Sequence, residues 1–205
     1  MLPDVCGRGL MDCQLFHRRA RIKRGFTLLE LLVVISIIGI LVGILLPVLS
    51  AARSRASKVA CMANLRQVGM GIQSYVAANK DFYPRARYMP PPFLSADPDP
   101  PLNTLIDFYL LNGSEGKARE VYKCPSDSQA FALSGMSYMY QTGQGGDTFA
   151  EFFLVKYFNW PASKIVIARD FDGGTFDIEG GQVTINAFHI SRNLLFADGH
   201  VGNFE

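Results

Sequence analysis

The chain has 205 residues, 49% of them hydrophobic and 19% charged, which allows one domain plus a membrane segment. Its formal charge of +2 is unevenly spread. Residues 1–25 hold Arg8, Arg18, Arg19, Arg21, Lys23 and Arg24 against Asp4 and Asp12, a charge of +4, and the remainder has 14 basic and 16 acidic side chains. That remainder offers no general case for nucleic-acid binding.

Residues 26–49 form the first predicted element, 24 residues with a single charge at Glu30. As a helix they extend roughly 36 Å, enough to cross the ~30 Å hydrocarbon core of a bilayer. An unpaired carboxylate one turn inside such a span is costly, so Glu30 requires a partner or a proton. A cut between Gly25 and Phe26 would create an α-amino cation four residues away, able to neutralise Glu30 in the same chain or a neighbouring one. Two other readings exist: a secretory signal cleaved near Ser50-Ala51-Ala52, and a plain signal anchor. The apolar run exceeds the usual ~7–15 residues of a signal core, and a disposable signal has no use for the acid.

The order of basic residues, Gly25, then Phe26-Thr27-Leu28-Leu29-Glu30 resembles the N-terminal signal of type IV pilins and type II secretion pseudopilins. The resemblance implies a leader, 1–25, removed after Gly25 by a prepilin peptidase that also N-methylates the new Phe26, with Glu30 as the assembly residue. It implies a non-enzymatic subunit of a pseudopilus or pilus-like filament. Its partners would be the peptidase/N-methyltransferase, other copies or related pseudopilins, and an inner-membrane assembly platform. The expected location is the inner membrane, single-pass, N-terminus cytoplasmic and head periplasmic. The basic residues flanking the span, Arg18 to Arg24 on one side and Arg53, Arg55, Lys58 and Arg66 on the other, give little orientation bias by themselves. Met11 is an alternative start to Met1. A signal-anchored ligand-binding head that does not polymerise is the rival from a different class.

The helix is expected to continue from 50 to 80. Cys61, Leu65, Val68, Ile72, Tyr75 and Val76 recur every three or four residues, an apolar stripe that needs a domain to pack on. Asn79-Lys80-Asp81 and Pro84 end it, giving one helix over 26–79, with Pro47, Gly39 and Gly43 as points of bending. The head is expected over 81–205. Residues 84–101 hold seven of the eleven prolines and read as a stiff loop. Residues 102–111 have helical spacing, and Tyr122 to Asp127 reads as a turn. A short helix is expected within 148–158, and strands over 137–141, 164–169, 182–188 and 193–197. Asp198-Gly199 is expected to close a tight primed hairpin onto 200–204.

This order matches the α+β pilin ladle, a long N-terminal helix packed on a small antiparallel C-terminal sheet. Asn64-Leu65-Arg66-Gln67-Val68-Gly69, Lys123-Cys124-Pro125-Ser126-Asp127, and His189 ahead of Asp198-Gly199 look like the prepilin subgroup marked by a His and a downstream Asp-Gly. That subgroup has about nine residues between them, and this chain has eight, 190–197.

Cys6 and Cys13 would leave with the leader, while Cys61 and Cys124 would face an oxidising periplasm, either as a disulfide or as two separate buried cysteines. Asp170, Asp172 and Asp177 lie around Gly173-Gly174, hard oxygen ligands that suit calcium, although the ligand ladder of an EF-hand is missing. The calcium-stabilised C-terminal loop of major pseudopilins makes this a candidate metal site beside the reading as a solvated turn. His189, Asp198 and His200 as a zinc set is the weaker idea, because the hairpin itself requires Asp198 and its neighbours. Gly143 to Gly146 lacks the Lys-Ser/Thr of a phosphate loop, and no catalytic pair or activated nucleophile stands out. The Phe82 to Tyr88 cluster of arginines and aromatics is read as an ordinary loop on an acidic head.

Overall fold

The structure is a computed structural model that describes residues 25–93, 98–111, 119–171 and 173–203. These fall into two compact units divided between Leu46 and Pro47. A single helix, α1 (Leu28–Ala78), contributes to both and contains a stretch long and apolar enough to cross a membrane. Together with a small antiparallel sheet towards the C-terminus, this gives the α+β, pilin-like layout.

In the first unit the helix has no buried side. Leu31, Leu32, Val33 and Val34, whose side chains point in successive directions about 100° apart around the axis, are all exposed. A helix apolar on every side and uncovered by its own chain is suited to lipid or to the helices of other copies.

Burial along α1 begins only at Cys61 and continues through Leu65, Val68, Gly69, Gly71, Ile72 and Val76. These are the stripe positions expected from spacing, with Tyr75 half-buried beside them and two glycines added. The glycines allow close approach. A Cβ at Gly69 would lie 2.7 Å from Leu195 Cδ1, and one at Gly71 would lie 2.9 Å from Leu110 Cγ.

The helix is shorter than expected at both ends. It starts at Leu28 because Thr27 caps it, and it stops at Ala78 because Lys80 and Asp81 adopt left-handed φ angles of 55° and 65°. The Asp81 N–H then returns to the Val76 carbonyl at 3.0 Å, satisfying one of the last orphan acceptors. Pro47 lies within α1 without ending it.

Four further elements supply the frame: α2 (Leu102–Leu110), α3 (Ala130–Ser134), α4 (Phe153–Phe158) and a four-stranded antiparallel sheet. The sheet has the order β1 (Tyr138–Tyr140), β2 (Val166–Asp170), β5 (Leu194–Phe196), β6 (Val201–Gly202). Tyr138 pairs with Asp170, and Arg169 with Leu194, so the end of β2 is held from both sides. The α1 stripe shares one core with Tyr138, Tyr140, Ile167, Leu195, Leu102 and Ile106.

Two corrections concern the C-terminal half. Residues 174–178, expected as part of an acidic loop, form β3 (Gly174–Ile178), paired over its whole length with β4 (Gly181–Ile185) as a separate two-stranded sheet. Phe176 there packs on Phe93 and Phe171, with ring centroids 5.7 and 5.1 Å apart, in a second core. The last hairpin does not use a primed two-residue turn. Phe196 N–H meets the His200 carbonyl, and Gly199 N–H returns to the Phe196 carbonyl, leaving Ala197, Asp198 and Gly199 as a three-residue loop. Only Gly199 takes a positive φ, 86°, as such a loop demands.

Gly69→Ala tests the close approach. Helix propensity favours Ala by about 1 kcal/mol, whereas overpacking against Leu195 costs about 1–3 kcal/mol. We expect a net loss of thermal stability, and a smaller effect of Gly69→Ala when Leu195 is already Ala. Equal effects in the two backgrounds would show that the contact does not matter.

Candidate functional site

The N-terminal candidates lie at the start of α1. Thr27 precedes the first helical turn, and its carbonyl accepts the Leu31 N–H at 3.2 Å. Its hydroxyl accepts the Glu30 N–H at 3.1 Å. In return Glu30 Oε2 accepts both the Thr27 N–H and the Thr27 hydroxyl, each at 2.9 Å. This is a reciprocal capping box, and it points the Glu30 carboxylate back towards Phe26. The sequence signal for it is Thr27-Leu28-Leu29-Glu30, a Thr three residues before a Glu at the start of an apolar run. Gly25 and Phe26 precede the helix and are exposed, Phe26 to 75%.

The second group lies wholly in the second unit. The structure joins Cys61 of α1 to Cys124 through a disulfide. The Cys124 loop is held by its neighbours. Asn64 Nδ2 donates to the Lys123 carbonyl at 2.7 Å, and Cys124 N–H donates to Ser137 Oγ, whose hydroxyl donates to Asp127 at 2.6 Å. Asp127 also accepts the backbone N–H groups of Gln129, Ala130 and Phe131, which fixes the start of α3.

His189 Nε2 lies 3.4 Å from Cys124 Sγ and 3.6 Å from Asp170 Oδ2, so the three are brought together. Asp170 is fully buried at the end of β2, where its Oδ2 accepts the Asn193 N–H at 3.1 Å and Asn193 Nδ2 at 2.7 Å. Burial raises the Asp170 carboxyl to about 7, against the opposing pull of the Asn193 hydrogen bonds and the Lys58 charge. Burial lowers His189, and the charge of Lys58 adds to this. Burial thus favours the neutral form of both groups.

The other sequence candidates are dispersed. Asp177 is exposed on β3 and accepts a hydrogen bond from Gln182 of the partner strand at 2.8 Å, while Asp172 lies outside the described residues. Asp198 and His200 pair with each other at 2.6 Å across the last hairpin, and His200 stacks on Phe196, whereas His189 sits with the disulfide. In the Phe82 to Tyr88 loop, Arg85 pairs with Asp99 and Arg87 donates to the Asp99 carbonyl, so both arginines brace the proline-rich segment. Sequence reading had no signal for His189 meeting Cys124, because the contact spans 65 residues.

Residues 20–46 match the family model described as the prokaryotic N-terminal methylation motif. The motif covers Arg21, Lys23 and Arg24, the Gly25-Phe26 junction and the apolar stretch as far as residue 46, and with the long helix behind it the chain is consistent with a type IV pilin-like protein. The motif implies processing by a prepilin peptidase and assembly into pilus-like filaments, and proteins of this kind are structural subunits. The apolar N-terminal helix fits a single-pass membrane anchor. No curated protein and no solved structure matches the chain.

Replacing both cysteines, Cys61→Ala with Cys124→Ala, removes a cross-link between residues 63 apart in sequence. By the chain-entropy model this costs about 4 kcal/mol, to be read as a lower urea midpoint in the detergent-solubilised chain. A pH series checks Asp170. Between pH 3.8 and about 7 the folded chain keeps a proton on Asp170 that the unfolded chain releases, so its contribution to stability falls as pH rises through that window. Asp170→Asn should abolish that fall and leave the opposite slope from His189, whose neutral form favours folding as pH rises towards 6.5.

Proposed function

We propose that this chain is a structural subunit of a type II secretion pseudopilus or type IV pilus-like filament, cut after Gly25 and N-methylated at Phe26. The observation that carries the reading is the methylation motif over 20–46 on a helix whose apolar side chains its own fold leaves uncovered. Residues 26–49 then serve as the membrane-spanning half of the helix and residues 50–80 as the half that supports the head. The head, 81–205, is periplasmic in this reading, and an oxidising compartment there is in keeping with the Cys61–Cys124 disulfide.

Assembly in this reading places the Glu30 carboxylate of an incoming subunit beside the Phe26 ammonium of one already in place. Each charge removes the cost of the other in hydrocarbon, and the pairing sets axial register. Intact mass of the purified chain separates the alternatives: methyl-Phe26 supports this reading, and a retained Met1 or a start near Arg53 rejects it.

The capping box gives Glu30 a second occupation, and two substitutions distinguish the two. Gln can cap a helix start but carries no charge. Glu30→Ala and Glu30→Gln should both preserve processing and both lose filament incorporation by cross-linking, because charge is what the pairing uses. Normal incorporation of Glu30→Gln would assign Glu30 to capping alone.

A further inference from the structure

The Cys61–Cys124 disulfide is surrounded in an unusual way for a purely structural cross-link. His189 has a side chain only 4% exposed, and Asp170 one only 1% exposed. One ligand atom from each of Cys61, Cys124 and His189 falls within 4.8 Å of the other two. Two interior oxygens beside this group, Asp170 Oδ1 and Asn193 Oδ1, accept no hydrogen bond among the described residues. Buried acceptors without a donor are costly, and electron-rich atoms gathered around an imidazole call for a cation. Lys58, one turn before Cys61 on α1, directs its Nζ to Ser191 Oγ at 2.6 Å.

We propose that the reduced chain binds one Zn²⁺ through Cys61 Sγ, Cys124 Sγ and His189 Nε2, with Asp170 as the fourth ligand, and that the disulfide is the metal-free, oxidised form of the same site. Donor chemistry selects the ion: two thiolates and an imidazole suit Zn²⁺ and not the oxygen-seeking Ca²⁺ or Mg²⁺. The spacing fits. Around a tetrahedral Zn²⁺ with bonds of about 2.3 Å to sulfur and about 2.0–2.1 Å to nitrogen and oxygen, a nitrogen lies roughly 3.6 Å from a sulfur and roughly 3.4 Å from an oxygen. His189 Nε2 already stands 3.4 Å from Cys124 Sγ and 3.6 Å from Asp170 Oδ2. The two sulfurs must separate from bonded contact to about 3.8 Å by rotation about their Cα–Cβ bonds, and Asp170, which is not within 4.8 Å of all three other ligands, must close on them.

The interconversion balances with a dithiol as the reductant. The dithiol supplies two electrons and two protons, opens the Cys61–Cys124 bond to two thiols and becomes a disulfide itself. Binding of Zn²⁺ then displaces both thiol protons to solvent. In the reverse direction an oxidising disulfide takes the two electrons, the cross-link re-forms and the ion leaves. Newly exported chain would hold Zn²⁺ in place of the cross-link until oxidation exchanges one for the other.

The test uses the full chain in detergent carrying Cys6→Ser and Cys13→Ser, so that only the two head thiols remain. After phosphine reduction and anaerobic removal of the reductant, Co²⁺ serves as the spectroscopic probe. We expect a thiolate-to-Co²⁺ charge-transfer band and tetrahedral d–d bands saturating at one equivalent, displaced by Zn²⁺ and absent from the oxidised chain. His189→Ala should weaken binding at least tenfold. Near-UV circular dichroism reports folding in parallel, and if reduction unfolds the head, Zn²⁺ should restore it. Absence of the thiolate band, equal binding by the oxidised chain, affinity unchanged in His189→Ala, or a reduced unfolded head that Zn²⁺ does not restore would each overturn the proposal.

Discussion

One helix has to satisfy two different environments along its length, and the way its side chains divide governs the rest of the molecule. From Leu28 to about residue 56 every described position of α1 is exposed, and the side chains up to Leu49 are almost all aliphatic. From Cys61 to Val76 the same helix is amphipathic, with Leu65, Val68 and Ile72 fully buried. Arg53, Arg55 and Lys58 fall between the two regimes. Neither half can exchange roles: the first has no polar face to offer water, and the second has no all-round apolar surface to offer lipid.

The amphipathic half is bonded to the head at intervals, and these bonds explain why the sheet can be so small. Cys61 is joined covalently to Cys124, and its carbonyl accepts the Tyr138 hydroxyl at 3.3 Å. Three turns further on, Gln73 Nε2 reaches the Ala197 carbonyl of the last hairpin at 2.9 Å, and Asn79 meets the Tyr109 hydroxyl at 3.2 Å after α2 has crossed the helix at Gly71. Strands of two to five residues would be marginal by themselves. Here β5 lies over Gly69, close enough that the helix forms the other wall of its core.

Features set by local periodicity were legible in the sequence. The α1 stripe and α2 followed from helical spacing, and β1, β2, β4 and β5 from runs of β-branched, aromatic and aliphatic residues, β1 and β5 being buried on both faces. The strand β3 was not legible. Its Asp177 and Thr175 face solvent, Gly173 before it and Gly174 at its start have positive φ, and three nearby aspartates suggested a ligand loop. Phe176 and Ile178 face the second core, and two inward side chains are too few to establish a period of two. The polar group around His189 was illegible for a different reason. Cys61, Cys124, Asp170 and His189 come from a helix, a loop, a strand end and a turn, and only tertiary packing makes them neighbours.

At the helix start, two chemically distinct roles converge on Glu30. Capping requires an acceptor that reaches back to the Thr27 N–H, and pairing with an ammonium requires a negative charge near the N-terminal end of the helix. A carboxylate meets both requirements with one conformation. Thr27 holds Glu30 Oε2 towards the N-terminus, the end at which cleavage in the proposed pathway would place the Phe26 amine. A carboxylate fixed by its own helix loses less side-chain freedom when a partner arrives than one that must first be ordered. The helix dipole favours a negative charge at that same end. In the proposed filament the capping box therefore acts as preorganisation for subunit docking, since the geometry that starts the helix also presents its charge.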